Sequence, residues 1–257
     1  MQSLKEKNVC ITGASSGIGA ACAEEFAKLG CNLLLIARRK ERVDELAKKL
    51  HAAHPTETHT IHLDVRHRTA VEIAFSSLNN DWKNIDILLN NAGLARGLAK
   101  LHEGKIEDWD EMIDTNVKGL LYVTRAVLPG MVERNSGHII NIGSIAGHQT
   151  YPMGNVYSAT KFAVVGITRS LKMDLLGTNV RVSSVDPGLV ETEFSQVRYR
   201  GDKERASKAY AGMTPLTPTD IAEAVIFCAT RPLHVNIGEL TITPTDQASV
   251  SMVHRRA

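Results

Sequence analysis

The chain has 257 residues, of which 43% are hydrophobic and 23% are charged, and its formal net charge is +2. These proportions are those of ordinary globular proteins, and α/β folds often use a chain of about this length as one domain. A net charge so close to zero excludes the strong basic field that attracts nucleic acid or anionic membranes. No apolar run approaches the roughly 18 residues that span a bilayer. We therefore expect a small-molecule substrate, with no nucleic-acid or membrane partner.

The N-terminus and the cysteines indicate a compartment. The first ten residues, MQSLKEKNVC, contain no apolar run suited to a signal peptide. Four cysteines, at positions 10, 22, 31 and 228, lie inside apolar segments and form no C-x-x-C pair. Such cysteines are typical of reduced thiols in a buried core, which fits a reducing compartment. The expected localisation is cytoplasmic.

Short apolar runs alternate with longer amphipathic stretches along the chain. We predict strands at residues 8–12, 32–37, 59–64, 85–89, 138–142, 180–185 and 239–243. We predict helices at residues 18–29, 41–53, 70–78, 106–134, 157–176 and 220–230. Pro129 is expected to kink or divide the long helix. This alternation predicts one doubly wound (Rossmann) α/β domain over residues 1–257, with a parallel seven-stranded sheet and helices on both faces.

Residues 191–217 form the only long segment with no predicted element. The segment is rich in charged and small residues. Long irregular segments in compact domains are often functional loops that move over a site. We predict that residues 191–217 are a substrate-binding lid.

The turn between the first strand and the first helix reads TGASSGIG, residues 12–19. Glycines let the backbone turn tightly and approach a pyrophosphate, for which the helix N-terminus supplies amide donors and a positive dipole end. The spacing is G-x-x-x-G-x-G rather than the general G-x-G-x-x-G. The position after a strand and before a helix still favours a dinucleotide site. The predicted contacts in this turn are Gly13, Ser15, Ser16, Gly17, Ile18 and Gly19.

The second strand is followed by Arg38 and Arg39. A site for NAD carries an acidic residue near this point, which binds the ribose 2′-hydroxyl. Here two guanidinium groups replace it, and they are suited to grip a 2′-phosphate. A solvated basic loop is the alternative interpretation. The position favours NADP as the cofactor.

Several motifs together resemble the short-chain dehydrogenase/reductase family. They occur in the family's order and rough spacing, and they span nearly the whole chain: TGASSGIG, NNAG at residues 90–93, Asn116, Ser144, Tyr157-x-x-x-Lys161, and Pro187 with Gly188. Within the family, the segments DTNVKGLLYVTRAVLPGMVERNSGHIINIGS, PGLVETEFSQVRYRGD and PTDQAS resemble the branch that oxidises 3-hydroxy acids with NADP. That branch includes L-allo-threonine and serine dehydrogenases. The resemblance also implies a homotetramer, since relatives typically pair their long helices.

The predicted catalytic residues are Tyr157, Lys161, Ser144 and Asn116. Tyr157 and Lys161 are four positions apart, so on a helix they share one face. A nearby ammonium favours the phenolate, which predicts a lowered Tyr157 pKa and a group that exchanges a proton with an alcohol. Ser144, at the end of the fifth strand, is placed to hydrogen-bond the reacting oxygen. The resemblance implies that Lys161 also binds the nicotinamide ribose and that Asn116 holds a water linking Lys161 to solvent. Each residue alone has an ordinary structural alternative; together they predict catalysis.

The resemblance implies further cofactor contacts along the chain. These residues follow the third, fourth and sixth strands: Asp64, Val65, Asn91, Ala92, Gly93, Pro187, Gly188, Val190 and Thr192. Asp186 stands where many members of the family have asparagine, and we expect little consequence. Five histidines, at positions 51, 54, 59, 62 and 67, lack the spacing of a ligand set, so no metal site is predicted.

The substrate pocket is expected to use residues 94–97, residues 146–153, which include Gln149, and the lid. An acidic substrate requires a cation, and the candidates are Arg198 and Arg200. Solvated surface charges are an equally good interpretation of these two arginines. Ser144 and Tyr157 are expected to contact the substrate as well.

The leading hypothesis is an NADP-dependent oxidoreductase of 3-hydroxy acids such as L-allo-threonine, serine or 3-hydroxyisobutyrate. The alternative is an NADPH-dependent carbonyl reductase of ketones, keto esters or 3-oxoacyl groups. A non-catalytic NADP-binding regulator is less favoured, because that role predicts a damaged set of catalytic residues and all four are present.

Overall fold

In the computed structural model, which describes residues 2–256, seven parallel strands form one sheet in the order β3-β2-β1-β4-β5-β6-β7. The strands are β1 (Asn8–Thr12), β2 (Asn32–Ala37), β3 (Thr58–His62), β4 (Ile87–Asn90), β5 (Gly137–Ile142), β6 (Val180–Pro187) and β7 (Glu239–Ile242). The helices are α1 (Gly17–Lys28), α2 (Lys40–Ala53), α3 (Arg68–Ser76), α4 (Asn80–Lys83), α5 (Ile106–Ile113), α6 (Leu120–Glu133), α7 (Asn155–Asp174), α8 (Phe194–Arg198), α9 (Lys203–Lys208) and α10 (Pro218–Ala229). The predicted doubly wound α/β fold is confirmed.

The central strands are apolar throughout because both faces of the sheet are covered. In β2, Leu33 and Leu35 pack into one core cluster with Phe26 of α1. Leu34 and Ile36, which alternate with them, pack into the cluster on the other face. Alternation of successive side chains between two faces therefore requires a continuous apolar run rather than an apolar–polar pattern.

The predicted long helix at residues 106–134 is three segments. A π-helical turn, Asp114–Gly119, separates α5 from α6. Pro129 lies inside α6 and does not divide it, so of the two predicted effects only a kink stays a prediction. The missing N–H of Pro129 leaves the carbonyl of Arg125 without its helical partner. Both residues are exposed, so water can hydrate that carbonyl.

Residues 191–217 are more regular than predicted, because α8 and α9 lie within them. These helices have five and six residues, too few for a helical repeat to show in the sequence. The base of the segment is closed by the N–H of Glu191, which donates to the carbonyl of Leu216 at 2.8 Å. The segment is therefore a helical excursion that leaves and rejoins the domain at one place.

The cysteines and the helices bear on the predicted environment. All four cysteines are buried, as predicted, and burial raises the pKa of each thiol. Within residues 2–256, each helix is too short or too polar to span a bilayer.

Candidate active site

The glycine turn follows β1, whose neighbours in the sheet are β2 and β4. Ligands of doubly wound sheets bind at such a point, where the strand order reverses. Gly13 has a φ of +67°, and a Cβ on Gly19 would lie 2.5 Å from the Gly13 carbonyl oxygen. The Asn91 side chain donates to the carbonyls of Thr12 and Gly13 at 2.9 and 3.2 Å. Asn91 thus locks the turn against the segment that follows β4.

A cavity of about 430 Å³ opens beside this turn. Its volume lies in the range of small-molecule sites. Every residue predicted to bind the cofactor lines it except Gly19, which packs behind the turn. Ser144, Tyr157 and Lys161 line the same cavity. Residues from six different strand ends and from residues 191–217 therefore meet at one site.

The two arginines after β2 have different surroundings. The Arg39 guanidinium donates from Nη2 to the hydroxyls of Ser16 and Ser15 at 2.6 and 3.1 Å, and from Nε to Ser15 at 3.2 Å. Arg38 lies with its Nη1 3.9 Å from the carboxylate of Asp64. Arg39 is therefore the arginine that sits directly on the glycine turn.

Asp64 lies beyond the end of β3 and is paired with Arg66. The Arg66 Nη2 and Nε donate to the Asp64 carboxylate at 2.6 and 3.0 Å. Burial raises the pKa of Asp64, but the hydrogen bonds and charge of Arg66 outweigh burial and hold that pKa below its usual value. The Asp64 carboxylate, which was predicted to contact the cofactor, is therefore ionised at neutral pH.

Helix α7 presents Tyr157 and Lys161 to the cavity one turn apart. Lys161 is only 7% exposed; its Nζ donates to the carbonyl of Ile142 at 2.9 Å and lies 6.0 Å from the centroid of the Tyr157 ring. Ser144 lies two residues beyond β5 rather than within it, and its hydroxyl accepts the N–H of Ala146 at 3.1 Å. The Ser144 hydroxyl also acts to lower the pKa of Tyr157, so the two side chains are neighbours. The three side chains thus face one another as predicted.

The prediction that Lys161 lowers the Tyr157 pKa was wrong for the protein alone. Burial raises the pKa of Tyr157 above its ordinary value, and the neighbouring Tyr151 phenol adds to this. A hydrogen bond from Ser144 and the charge of Arg198 act in the opposite direction. Burial also lowers the pKa of Lys161, to about 8. Desolvation disfavours both charged forms, and spacing along a helix does not reveal it.

Asn116 lies in the π-helical turn, Asp114–Gly119, and is buried. Its Oδ1 accepts the N–H of Leu94 at 2.9 Å, and its Nδ2 donates to the Leu94 carbonyl at 2.8 Å and to Thr160 Oγ1 at 3.0 Å. A Cβ on Gly93 would lie 3.3 Å from Oδ1. Asn116 therefore joins the loop after β4 to the catalytic helix from behind the cavity wall. No pattern in the sequence indicated the π-helical turn.

Of the two candidate arginines in residues 191–217, Arg198 is the one that lines the cavity. Its guanidinium carbon lies 5.6 Å from the ring centroid of Tyr157 and 5.5 Å from that of Tyr151. Its Nη2 donates to the Tyr151 hydroxyl at 2.6 Å, and its Nε donates to the Gly97 carbonyl at 3.0 Å. A fixed cation therefore stands beside the phenol predicted to exchange a proton.

The other two predicted substrate residues lie outside the cavity lining. Arg200 is exposed and pairs with Asp108. Gln149 is exposed, and its Oε1 accepts the N–H of Val250 at 3.0 Å. Neither side chain is brought to Tyr157 in this arrangement.

Sequence reasoning gave Asp186 little weight, yet it is fully buried beside the catalytic residues. His148 Nε2 lies 2.9 Å from one carboxylate oxygen of Asp186, and the Ser184 hydroxyl donates to the other at 2.6 Å. Burial lowers the pKa of Lys161, and the charge of Asp186 partly offsets that effect. A Cβ on Gly143 would collide with this carboxylate. The one sign of this in the sequence was that Asp186 stands where many members of the family have asparagine.

Comparison with known proteins identifies the class to which this fold and site belong. The sequence model of the short chain dehydrogenase family matches residues 7–203, which is most of the chain. The chain therefore belongs to the short-chain dehydrogenase family.

Individual relatives cover nearly the whole chain. The NADP-dependent 3-hydroxy acid dehydrogenase YdfG of Salmonella typhi is 51% identical over 249 residues, 96% of this chain and 99% of its own. Sulfoacetaldehyde reductase 2 of Chromohalobacter salexigens is 45% identical over 241 residues, 93% of this chain and 95% of its own. The closed form of serine dehydrogenase complexed with NADP+ is similar with a TM-score of 0.90 at 49% identity, covering 97% of this chain and 100% of that chain.

Proposed function

We propose that this protein is an NADP-dependent oxidoreductase that transfers hydride between nicotinamide and the hydroxyl-bearing carbon of 3-hydroxy acids such as L-allo-threonine, serine or 3-hydroxyisobutyrate. The observation that carries the proposal is the guanidinium of Arg198, 5.6 Å from the ring of Tyr157. It puts a carboxylate-binding cation next to a proton-exchanging phenol. The relatives named for 3-hydroxy acids and for serine support the same substrate class.

The residues around the glycine turn fit NADP. Gly17 has a φ of +55° where α1 begins, so the helix N-terminus is open to a pyrophosphate. Arg39 sits on Ser15 and Ser16, a donor set that suits a 2′-phosphate. When bound, NADP supplies or accepts the hydride. We assign cofactor binding to the cavity residues predicted from the sequence, with Arg39 as the 2′-phosphate contact.

The acid–base chemistry belongs to Tyr157. Its pKa is raised by burial in the protein alone, so the phenol holds its proton and can donate it to a carbonyl oxygen during reduction. In oxidation the same oxygen must accept a proton, which Arg198 assists because its charge lowers the Tyr157 pKa. The Ser144 hydroxyl, which lines the cavity together with Tyr157, orients the reacting oxygen.

Lys161 and Asn116 support this chemistry from behind. Lys161 Nζ is held by the carbonyl of Ile142 and is available to a ribose hydroxyl in the cavity. Asn116 fixes Leu94 and Thr160, and thereby fixes the cavity wall against α7. We assign Lys161 to ribose binding and Asn116 to holding the catalytic helix in position.

The position of Arg198 relative to Tyr157 limits the length of the substrate. In a 3-hydroxy acid two carbon–carbon bonds separate the carboxyl carbon from the carbon that bears the hydroxyl. That separation is short enough for Arg198 to hold the carboxylate while the hydroxyl meets Tyr157 and Ser144. A charge-assisted pair of this kind fixes orientation as well as affinity.

The test is spectrophotometric. Purified protein is given NADP+ or NAD+ with L-allo-threonine, L-serine, 3-hydroxyisobutyrate and uncharged alcohols, and the absorbance of the reduced cofactor is followed. We expect turnover of the hydroxy acids with NADP+ and much less with NAD+. Preference for NAD+ would contradict the role of Arg39, and turnover of uncharged alcohols alone would contradict the role of Arg198.

A second candidate is reduction of an aldehyde that carries an anionic group. The observation that favours it is the 45% identity to sulfoacetaldehyde reductase 2. A sulfonate is tetrahedral rather than planar, but like a carboxylate it is an anion with at least two oxygens that can accept from the Arg198 guanidinium at once. Oxidation of NADPH by sulfoacetaldehyde, measured beside oxidation of NADPH by the 3-oxo acids and by neutral ketones or keto esters, separates this reaction from the first.

We also propose that residues 1–257 fold as one domain with residues 191–217 as the lid, in a cytoplasmic homotetramer. Four buried thiols fit a reducing compartment. Exposed apolar residues on consecutive helices, such as Ile106, Leu121 and Phe162, support an assembly through α5 to α7. Light scattering after size-exclusion chromatography measures the mass directly, and a monomeric mass would contradict the tetramer.

A further inference from the structure

The lid carries a carboxylate that is clamped between two arginines of the cofactor site. Glu193 lies at the N-terminus of α8, and its oxygens accept from Arg39 Nη1 at 2.8 Å and from Arg42 Nη1 at 2.7 Å. Hydrogen bonds from Arg39 and Arg42 lower the pKa of Glu193 to about 2. The lid carboxylate is therefore ionised throughout the neutral range.

This carboxylate uses a donor that a 2′-phosphate needs. Arginine has five N–H donors, one on Nε and two on each Nη. Arg39 uses its Nε on Ser15, its Nη2 on Ser15 and Ser16, and its Nη1 on Glu193. Since Nη2 has two donors, these contacts within residues 2–256 engage four of the five. The one remaining donor is on Nη1, the atom that binds Glu193, so a phosphate that binds this guanidinium through two donors must replace one of these contacts, and Glu193 is the anion among them.

A 2′-phosphate bound to Arg39 would also be repelled by Glu193. Glu193 and Arg39 line the same cavity as the glycine turn. A 2′-phosphate bound to Arg39 would have an ionised carboxylate as its neighbour, and the phosphate itself carries up to two negative charges. NAD, which has a hydroxyl at that place, meets no such repulsion. The repulsion therefore applies to NADP and not to NAD.

We propose that Glu193 competes with the 2′-phosphate of NADP for Arg39, so that the lid weakens NADP binding and speeds its release while leaving NAD unaffected. This inference depends on the proposed function, in which Arg39 binds the 2′-phosphate. Such competition would speed turnover. In many enzymes the release of product sets the rate, and a carboxylate that re-forms its pair with Arg39 lowers the barrier to cofactor release.

The test compares Glu193→Gln with wild type in calorimetric titrations of NADP+ and NAD+ and in stopped-flow measurement of cofactor dissociation. Glutamine keeps the size of the side chain and removes the charge. One unit charge at a few ångströms near water is worth about a three- to tenfold change in affinity. We expect the NADP+ Kd to fall by about that factor, with slower dissociation, and the NAD+ Kd to stay the same.

Two further variants make the result specific. Glu191→Gln removes the same charge two positions earlier, from an exposed side chain that forms no ion pair within residues 2–256, and should leave both Kd values unchanged. Arg39→Ala should weaken NADP+ and not NAD+, which tests the phosphate site itself. Unaltered NAD+ binding in Glu193→Gln also shows that the variant is folded.

The outcomes separate the two ideas. A loss of NADP+ affinity in Arg39→Ala, with no gain in Glu193→Gln, overturns the competition and leaves the phosphate site standing. Weaker NADP+ binding in Glu193→Gln overturns it too, because Glu193 would then hold Arg39 in place for the phosphate. Equal gains for NADP+ and NAD+ point to a general effect of the lid and overturn the specificity. No effect of Arg39→Ala contradicts both the phosphate site and the inference.

Discussion

Replacing Arg198 by glutamine removes the cation beside Tyr157 and should change which substrates are oxidised. Glutamine keeps a polar side chain that can still reach towards the Tyr151 hydroxyl and the Gly97 carbonyl, which Arg198 contacts at 2.6 and 3.0 Å. What is lost is the charge-assisted bond to a substrate carboxylate. The change should therefore act on acids and spare neutral alcohols.

The magnitude follows from the kind of bond removed. A hydrogen bond to a charged group contributes roughly 1.5–3 kcal/mol, and each 1.36 kcal/mol is about tenfold in rate. We expect kcat/KM for 3-hydroxyisobutyrate to fall by about 10- to 150-fold. Arg198 also lowers the Tyr157 pKa, so a smaller loss, about threefold or less, is expected for any alcohol.

The assay follows NADPH formation with 3-hydroxyisobutyrate and with its methyl ester, which differs chiefly by the missing charge. Arg198→Lys, which keeps the charge and loses the planar fork, should fall between wild type and Arg198→Gln. Arg200→Gln is the matched control, because Arg200 pairs with Asp108 outside the cavity lining. Equal losses on acid and ester, or a loss in Arg200→Gln as large as in Arg198→Gln, would refute the assignment.

Three further substitutions test the site. Tyr157→Phe should bind NADP+ within about twofold of wild type and lose about 10²- to 10⁴-fold in kcat, the usual size of an acid–base contribution; an active variant in the same assay would remove Tyr157 from that role. Lys161→Met tests the buried charge. The pKa of Lys161 is lowered to about 8 in the folded protein, so the unfolded chain binds this proton more tightly. Protonated Lys161 therefore lowers the free energy of unfolding most below pH 8 and least above pH 10. The variant should gain up to roughly 3 kcal/mol at pH 7 and less at pH 10 in cofactor-free thermal unfolding; a gain that is the same at both pH values would be inconsistent with a buried charge. Asp186→Asn removes the charge that supports protonated Lys161, so the alkaline limb of the kcat/KM pH profile should move to lower pH, and an unmoved limb would show that Asp186 serves only to hold His148.

Local patterns predicted the fold and most of the cofactor site. The strand Asn32–Ala37 is apolar after its first residue and has the length of a buried strand. Its side chains alternate between two faces of the sheet that are both covered, and a continuous apolar run is the pattern such a strand needs. Gly13 is required by its φ of +67°, and Gly19 by the Gly13 carbonyl oxygen, which a Cβ on Gly19 would approach to 2.5 Å. Tyr157 and Lys161 share a face of α7 because the helical repeat places residues four apart together. These features depend on neighbours in sequence.

Pairs far apart in the sequence could not be predicted in this way. Arg39 and Glu193 are 154 positions apart, and nothing near either residue indicates the other. His148 and Asp186 are 38 positions apart and meet only because β5 and β6 are neighbours. Such pairs are set by how the strands and helices pack, and many packings are compatible with the same local pattern.

The clearest division lies between Arg198 and Arg200. By itself, the sequence determined a parallel sheet, a dinucleotide turn and a tyrosine–lysine helix, since burial and backbone repeat are written in short stretches. It gave the two lid arginines equal standing. The tertiary structure put Arg198 against Tyr157 and Arg200 against Asp108, because α8 ends at Arg198 and Arg200 follows with a φ of +53°. The position of each charge and the pKa that it shifts depend on burial and on partners that are distant in sequence. Burial and such contacts exist only in the folded chain.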